Sequence, residues 1–219
     1  MHTDALKCLS DADLIAQVKT FEWANLSDLH AQALPFLVEL GERKHLLRRM
    51  LDNLRADSGL FELCELLPDM YKYTLYQDST GARIRLHIFR PEYEDVPHSH
   101  RWALASYIIH GAVVCRYYGS EINVQKTYSG RMPLPLVTKT LQAGSFYTIV
   151  DTTLHWFHGE PGSVSLVVRG PLAKDVSHEF GEGGVNLKYG AQAKMETPAN
   201  MQHQDYLDGI SMLEGWGVL

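Results

Sequence analysis

PHSHRWALASYIIHGAVVCRYY, residues 97–118, is the stretch that decides how the chain folds. ASYIIHGAVVCRYY is rich in β-branched and aromatic residues and is broken at Gly111, so it reads as extended strand rather than helix. His98 and His100 stand two apart at the start of this segment. Residues i and i+2 of a strand project to the same side, so both imidazoles face one way and can hold a single cation. The competing reading is a pair of exposed loop histidines, since the chain carries 11 histidines in all.

Runs of the same kind lie on both sides. KYTLYQ (72–77), the turn DSTGA (78–82), RIRLHIF (83–89), LVTKTLQ (136–142), SFYTIV (145–150) and SVSLVVRG (163–170) are short strands punctuated by Gly, Pro, Asp and Ser. Many short strands at turn-delimited spacing predict a sandwich or barrel. Before residue 70 the period is helical. Ser10 and Asp13 form a capping-box start ahead of Leu14, Ile15, Val18 and Phe21. Ser27 is expected to cap a second helical segment interrupted by Pro35 and Gly41, and Leu46, Leu47, Met50, Leu51 and Leu54 mark the inner face of a third. A short fourth is expected over 60–67. The organisation predicted is a helical segment at 1–69 packed on a β-barrel at 70–175, followed by a glycine-rich C-terminal arm at 176–219.

At 219 residues and 45% hydrophobic, the chain can bury the core of one compact domain with a helical appendage. A formal charge of -6, with both signs scattered, offers no basic face to nucleic acid or anionic lipid. The start MHTDALKCLSDADL lacks a basic region followed by an apolar run, and no stretch has the length that spans a bilayer. A cytoplasmic protein is expected. Cys8, Cys64 and Cys115 are odd in number, far apart and free of CxxC spacing, which speaks against disulfides and thiolate zinc.

From His100, three residues lead to Leu104 and six more to Gly111; downstream, Gly144 precedes Val150, Thr152, His155 and Gly159. This frame resembles the two motifs of the cupin superfamily, G-x5-H-x-H-x3-4-E-x6-G and G-x5-P-x-G-x2-H-x3-N, over residues 71–171. The resemblance implies a double-stranded β-helix (jelly-roll) barrel with metal ligands at His98, His100 and His155. The pattern departs from the family at Leu104 or Ala105 in the glutamate position, Val150 for proline, Thr152 for glycine and Gly159 for asparagine. A three-histidine site is similar to that of the thiol dioxygenases, the branch that includes cysteine dioxygenase, and implies Fe(2+), with Zn, Ni or Mn as alternatives. In that branch's frame Ser165 keeps a serine position, Val167 and Arg169 replace histidine and tyrosine, and Tyr73 stands at the substrate-binding arginine; no cysteine lies near Ala105 for a crosslink. Cysteine is therefore not the expected substrate.

Each candidate pocket residue has a plainer reading. Arg169, in the apolar strand LVVRG, either holds a substrate anion or the outer oxygen of dioxygen, or sits at the rim paired with Glu160 or Asp175. Arg83 and Arg85 share a strand face with His87 and Phe89; Arg85 binds substrate, or both arginines are exposed on an edge strand. Trp102 lines the pocket or packs the core. His87 serves as an acid/base group or is a satisfied core histidine. His158 competes with His155 as ligand, with the motif count favouring His155, and His110 is structural.

Together these features predict an oxygenase that binds a small, carboxylate-bearing metabolite beside iron and dioxygen. The alternatives are a redox-neutral cupin lyase, isomerase or cyclase, and a non-catalytic small-molecule-binding cupin. Cupins often pair through their sheets, which suggests a homodimer.

Overall fold

The computed structural model describes residues 6–90, 96–189 and 199–219; all statements below concern these. Residues 190–198 of the expected arm and 1–5 of the start lie outside them.

The helical segment begins as its sequence dictates. Ser10 accepts from the Asp13 amide and starts α1 (Asp11–Ala16). The next helix, α2 (Leu26–Glu42), corrects two expectations: Asn25 rather than Ser27 caps it, and it runs unbroken through Pro35. A proline inside a helix costs about 3 kcal/mol in a lost bond and crowding. Burial of Leu29, Ala33, Phe36, Leu37 and Leu40 on one stripe offsets that cost. α3 (Lys44–Asn53) buries Leu46, Leu47, Met50 and Leu51. The fourth helix is only α4 (Ser58–Phe61), and the residues expected to continue it form a two-residue strand, β1 (Glu65–Leu66).

The barrel strands are β2 (Met70–Gln77), β3 (Arg83–Phe89), β4 (Leu104–His110), β5 (Ala112–Ser120), β6 (Val137–Gln142), β7 (Phe146–Ile149), β8 (Thr153–Gly159) and β9 (Val164–Arg169). α5 (Glu121–Thr127) follows β5. The C-terminal residues add a hairpin, β10 (Val176–Gly181) and β11 (Gly184–Tyr189), then β12 (Ala199–Asn200) and α6 (His203–Gly215).

Every pairing is antiparallel. Sheet one has the order β12-β1-β2-β3-β9-β4-β7, and sheet two is built on β6-β5-β8. Sheet two continues through His98, which bridges His155 of β8 on one side and Glu179 of β10 on the other. The chain passes between sheets from β3 to the 97–99 segment, to β4, to β5 and β6, to β7, to β8 and to β9. That alternation is the double Greek key of a jelly roll, the architecture cupins share.

Sheet one is buried on both faces. Its outer side chains, among them Ile84, Leu86, Ile88, Val164, Leu166 and Val168, join the helical leucines in one core. The C-terminal helix belongs to the same core through Tyr206, Ile210 and Leu213, so this part of the arm packs firmly. Inside the barrel, Phe89, Ile108, Val113 and Cys115 form an apolar plug with Tyr147 and Phe157.

Candidate metal centre

His155 and Phe157 alternate inward on β8. The 97–99 segment is locked beside it. The His98 amide donates to the His155 carbonyl at 2.8 Å, and the His155 amide returns a bond to His98 at 2.9 Å. Strand alternation then sends both His98 and His100 towards His155. Their three ligand nitrogens lie within 4.8 Å of one another. The closest pair, His100 Nε2 and His155 Nε2, is 2.8 Å apart.

The tautomer of His98 follows from its partner. Nδ1 lies 2.9 Å from the carbonyl of Val96, which can only accept, so Nδ1 carries the proton and Nε2 presents its lone pair. Burial, then the neighbouring His98 and His155 rings, drives the His100 pKa well below its ordinary value and keeps the ring neutral. A neutral three-nitrogen donor set at this spacing fits one divalent cation of the imidazole-preferring kind.

His158 stands apart from this group. Three residues beyond His155 on a strand, it faces the other way and stacks on Trp156 at 5.7 Å. Gly159, which stands at the family's asparagine position, has a packing reason: a Cβ there would lie 2.1 Å from the Phe89 ring.

A buried polar network holds the outer side of the histidine segment. Ser99 accepts from the His178 amide at 3.0 Å, and His178 Nδ1 meets Glu121 Oε2 at 3.0 Å. Lys174 donates to the same carboxylate and to the Asp151 carbonyl. Burial alone would raise the Glu121 pKa, but hydrogen bonds from Lys174, Ser99 and His178 outweigh it and hold the group ionised. None of these residues was singled out from the sequence, because the network joins positions 99, 121, 174 and 178, which share no local pattern.

The remaining candidates separate into two groups. Arg85, His87, Phe89, Ser165 and Arg169 point into the barrel from β3 and β9, where His87 pairs with Ser165 and Arg83 with Arg169. The edge-strand reading of Arg83 and Arg85 is corrected, since β3 lies between β2 and β9 and Arg85 is 6% exposed. Arg169 forms no ion pair with Glu160 or Asp175 among the described residues. Its guanidinium lies 4.2 Å over the Trp102 ring, and that ring stacks on His100 at 6.1 Å. Trp102 thus joins the arginine to the histidines at the barrel mouth. Burial, then Lys72 and Arg85, pushes the His87 pKa well below its ordinary value, and its Nε2 is buried without a partner. Phe89 belongs to the apolar plug and contacts Phe157 at 5.1 Å.

Tyr73 is the clear correction. Wholly buried on the helical side of sheet one, it directs its hydroxyl to the backbone carbonyls of Asp205 and Tyr206, both 3.4 Å away. A Cβ on Gly209 would lie 1.8 Å from that hydroxyl, so the tyrosine and the glycine fit the C-terminal helix to the sheet rather than serve the pocket. His110 is structural as expected, bonding the Gly162 carbonyl and stacking on Trp216. Cys64 and Cys115 are buried as free thiols. No helix among the described residues is long and apolar enough to cross a membrane.

Fold and site define a class: a cupin-type jelly roll whose mouth carries three histidines able to hold one metal ion. No family model matches the chain, and no curated protein matches it in sequence. Among solved structures it is similar to KdgF from Halomonas sp., at 16% identity over 49% of this chain and 84% of that one, TM-score 0.38. It is also similar to an RmlC-like cupin from Shewanella frigidimarina NCIMB 400, at 18% identity over 51% and 86%, TM-score 0.38. A third is ectoine synthase from P. lautus, at 14% identity over 54% and 75%, TM-score 0.35. Likeness at this distance carries no argument about reaction or substrate, and the fold assignment rests on the strand order itself.

Proposed function

We propose that this protein is a metal-dependent enzyme, a non-haem Fe(2+) oxygenase of the three-histidine kind, acting in the cytoplasm on a small carboxylate-bearing metabolite and dioxygen. The observation that carries the reading is the convergence of His98, His100 and His155, with the His98 lone pair aimed by the Val96 carbonyl. Bound there, ferrous iron would supply the redox chemistry, and three neutral protein ligands would leave it coordination positions for substrate and oxygen.

The chain's own groups then divide the work. Arg169 orients an anionic group of the substrate, and Trp102 covers that guanidinium and limits water at the mouth. His87, neutral in its buried position, accepts or returns a proton through Nε2. The plug around Phe89, Ile108 and Phe157 closes the far end of the barrel to water.

A redox-neutral lyase, isomerase or cyclase is the second reading, favoured by the unpartnered His87 nitrogen, which suits proton abstraction beside a Lewis-acidic metal. Metal analysis of protein purified without oxygen, followed by oxygen-uptake assays with thiols, amino acids and diketones, separates the two. Iron with substrate-dependent uptake supports the oxygenase. Stoichiometric zinc or nickel without uptake selects the redox-neutral enzyme, and ligand binding without turnover returns the protein to a binding role.

A further inference from the structure

The inner face of sheet one concentrates positive charge beyond what the protein neutralises. Arg83 lies opposite Arg169 and Arg85 opposite Val167, so Arg85 and Arg169 are diagonal neighbours across an antiparallel pair. Long side chains reach one another across that diagonal. The two residues are 6% and 8% exposed. Arg85 gives one Nη to Glu65 Oε1 at 3.1 Å, and Arg169 gives one to the Gly170 carbonyl at 3.2 Å. The Nε–H of each is buried without a hydrogen-bond partner. A buried charged donor with no protein acceptor is costly, so two in one cluster call for an acceptor from outside.

Charge accounting gives the same direction. Arg83 directs its Nε to the neutral side chain of Gln77. Among the described residues, Glu65 is the carboxylate that faces these three guanidiniums. Two positive charges therefore remain uncompensated. Burial and repulsion from the neighbouring arginines pull Arg169 down to about 9, and burial with Arg85 pulls Arg83 to about 10. One step deeper, His87 Nε2 and Ser165 Oγ face the interior from paired positions, also without partners.

We propose that Arg85 and Arg169 form a clamp for an oxyanion group, with the Ser165 hydroxyl completing its hydrogen bonds, and that the barrel's ligand carries two negative charges. Dicarboxylates and phosphate esters share that chemistry. The inference deepens the proposed function by fixing the charge of the substrate. It rests on the barrel interior being the ligand site and is tested without metal.

The experiment is calorimetric titration of the full-length, EDTA-treated protein at pH 7 and constant ionic strength with malonate, succinate, inorganic phosphate and acetate. At least one of the dianions is expected to bind about tenfold more tightly than acetate, or better, as befits one added charge-assisted contact. Preference for a dicarboxylate over phosphate, or the reverse, names the source of the oxyanion. Arg85→Gln and Arg169→Gln should each lose most of that preference, whereas Glu65→Gln, which frees Arg85 from its competing carboxylate, should tighten dianion binding. Equal affinity for acetate and all dianions overturns the proposal. So does an Arg85→Gln protein that folds and keeps the preference. If Arg85→Gln does not fold, Glu65→Gln decides, and unchanged or weaker dianion binding overturns it. Metal content of the protein before EDTA treatment is measured in parallel. Dianion binding in a protein that never held metal defeats only the metal reading, and metal retention without any dianion preference defeats only this one.

Discussion

The two sheets of the barrel carry different burdens. Sheet one lies beneath the helices, and β9 is buried along its whole length; sheet two ends in β6, of which all but Leu141 is exposed. The helices cover the outer face of sheet one, and on its inner face Arg85, Arg169, His87 and Ser165 collect. The histidines sit on sheet two, where the paired 97–99 and β8 segments fix their backbones. One sheet thus supplies the charge and the other the three histidines able to hold a metal ion, and Trp102 lies between them.

The strongest way to break this comparison is at the histidines. His98→Ala and His155→Ala should each reduce bound metal from about one per chain to near zero, measured by elemental analysis after anaerobic loading. His158→Ala, altering the outer face of the same strand, should leave it in place. Loss of metal in His158→Ala with retention in His155→Ala would reverse the assignment of the two faces.

Stability should divide the outer faces in a similar way. Leu166→Ala, in the core between sheet one and the helices, is expected to cost about 2–5 kcal/mol in urea unfolding. Leu136→Ala, 75% exposed beside sheet two, should change stability by less than about 0.5 kcal/mol. Comparable effects would mean that the outer side of sheet two is covered in solution.

The smallest effect is the response to acid. Burial alone would raise the Glu65 pKa, but Arg85 and Lys72 outweigh it and hold the carboxyl below its ordinary value. A depressed folded-state pKa contributes stability that is present above the unfolded value and is lost as pH falls through the folded one. Wild-type protein should therefore lose stability between neutral and acid pH more steeply than Glu65→Gln, and parallel profiles would remove Glu65 from the ion-pair account.

Much of this was legible locally. The period-two runs marked the barrel strands, and the HxH spacing together with the resemblance to the second cupin motif, from Gly144 to His155, picked out the three histidines that converge. The C-terminal helix was missed although Tyr206, Ile210 and Leu213 recur at i, i+4 and i+7. Its glycines, Gly209 and Gly215, hid the pattern; Gly209 is there because Tyr73 occupies the space a side chain would need. The two-residue strands β1 and β12 are too short for any periodicity, and they form because Glu65 pairs with Asn200 and Leu66 with Ala199.

From the sequence alone come the alternation that points His98 and His100 the same way, the face that Arg85 shares with His87 and the one that Ser165 shares with Arg169, and the helical stripe that covers the barrel. These depend on residues a few positions apart, where backbone geometry is decisive. Which strands become neighbours was settled only in three dimensions. β3 meets β9 some eighty residues later, so Arg83 and Arg85 stand on an interior strand rather than an edge one; Tyr73 packs against the C-terminal helix, and Glu65 comes to Arg85. Pairing between distant strands depends on the burial of the whole core, which no local period encodes.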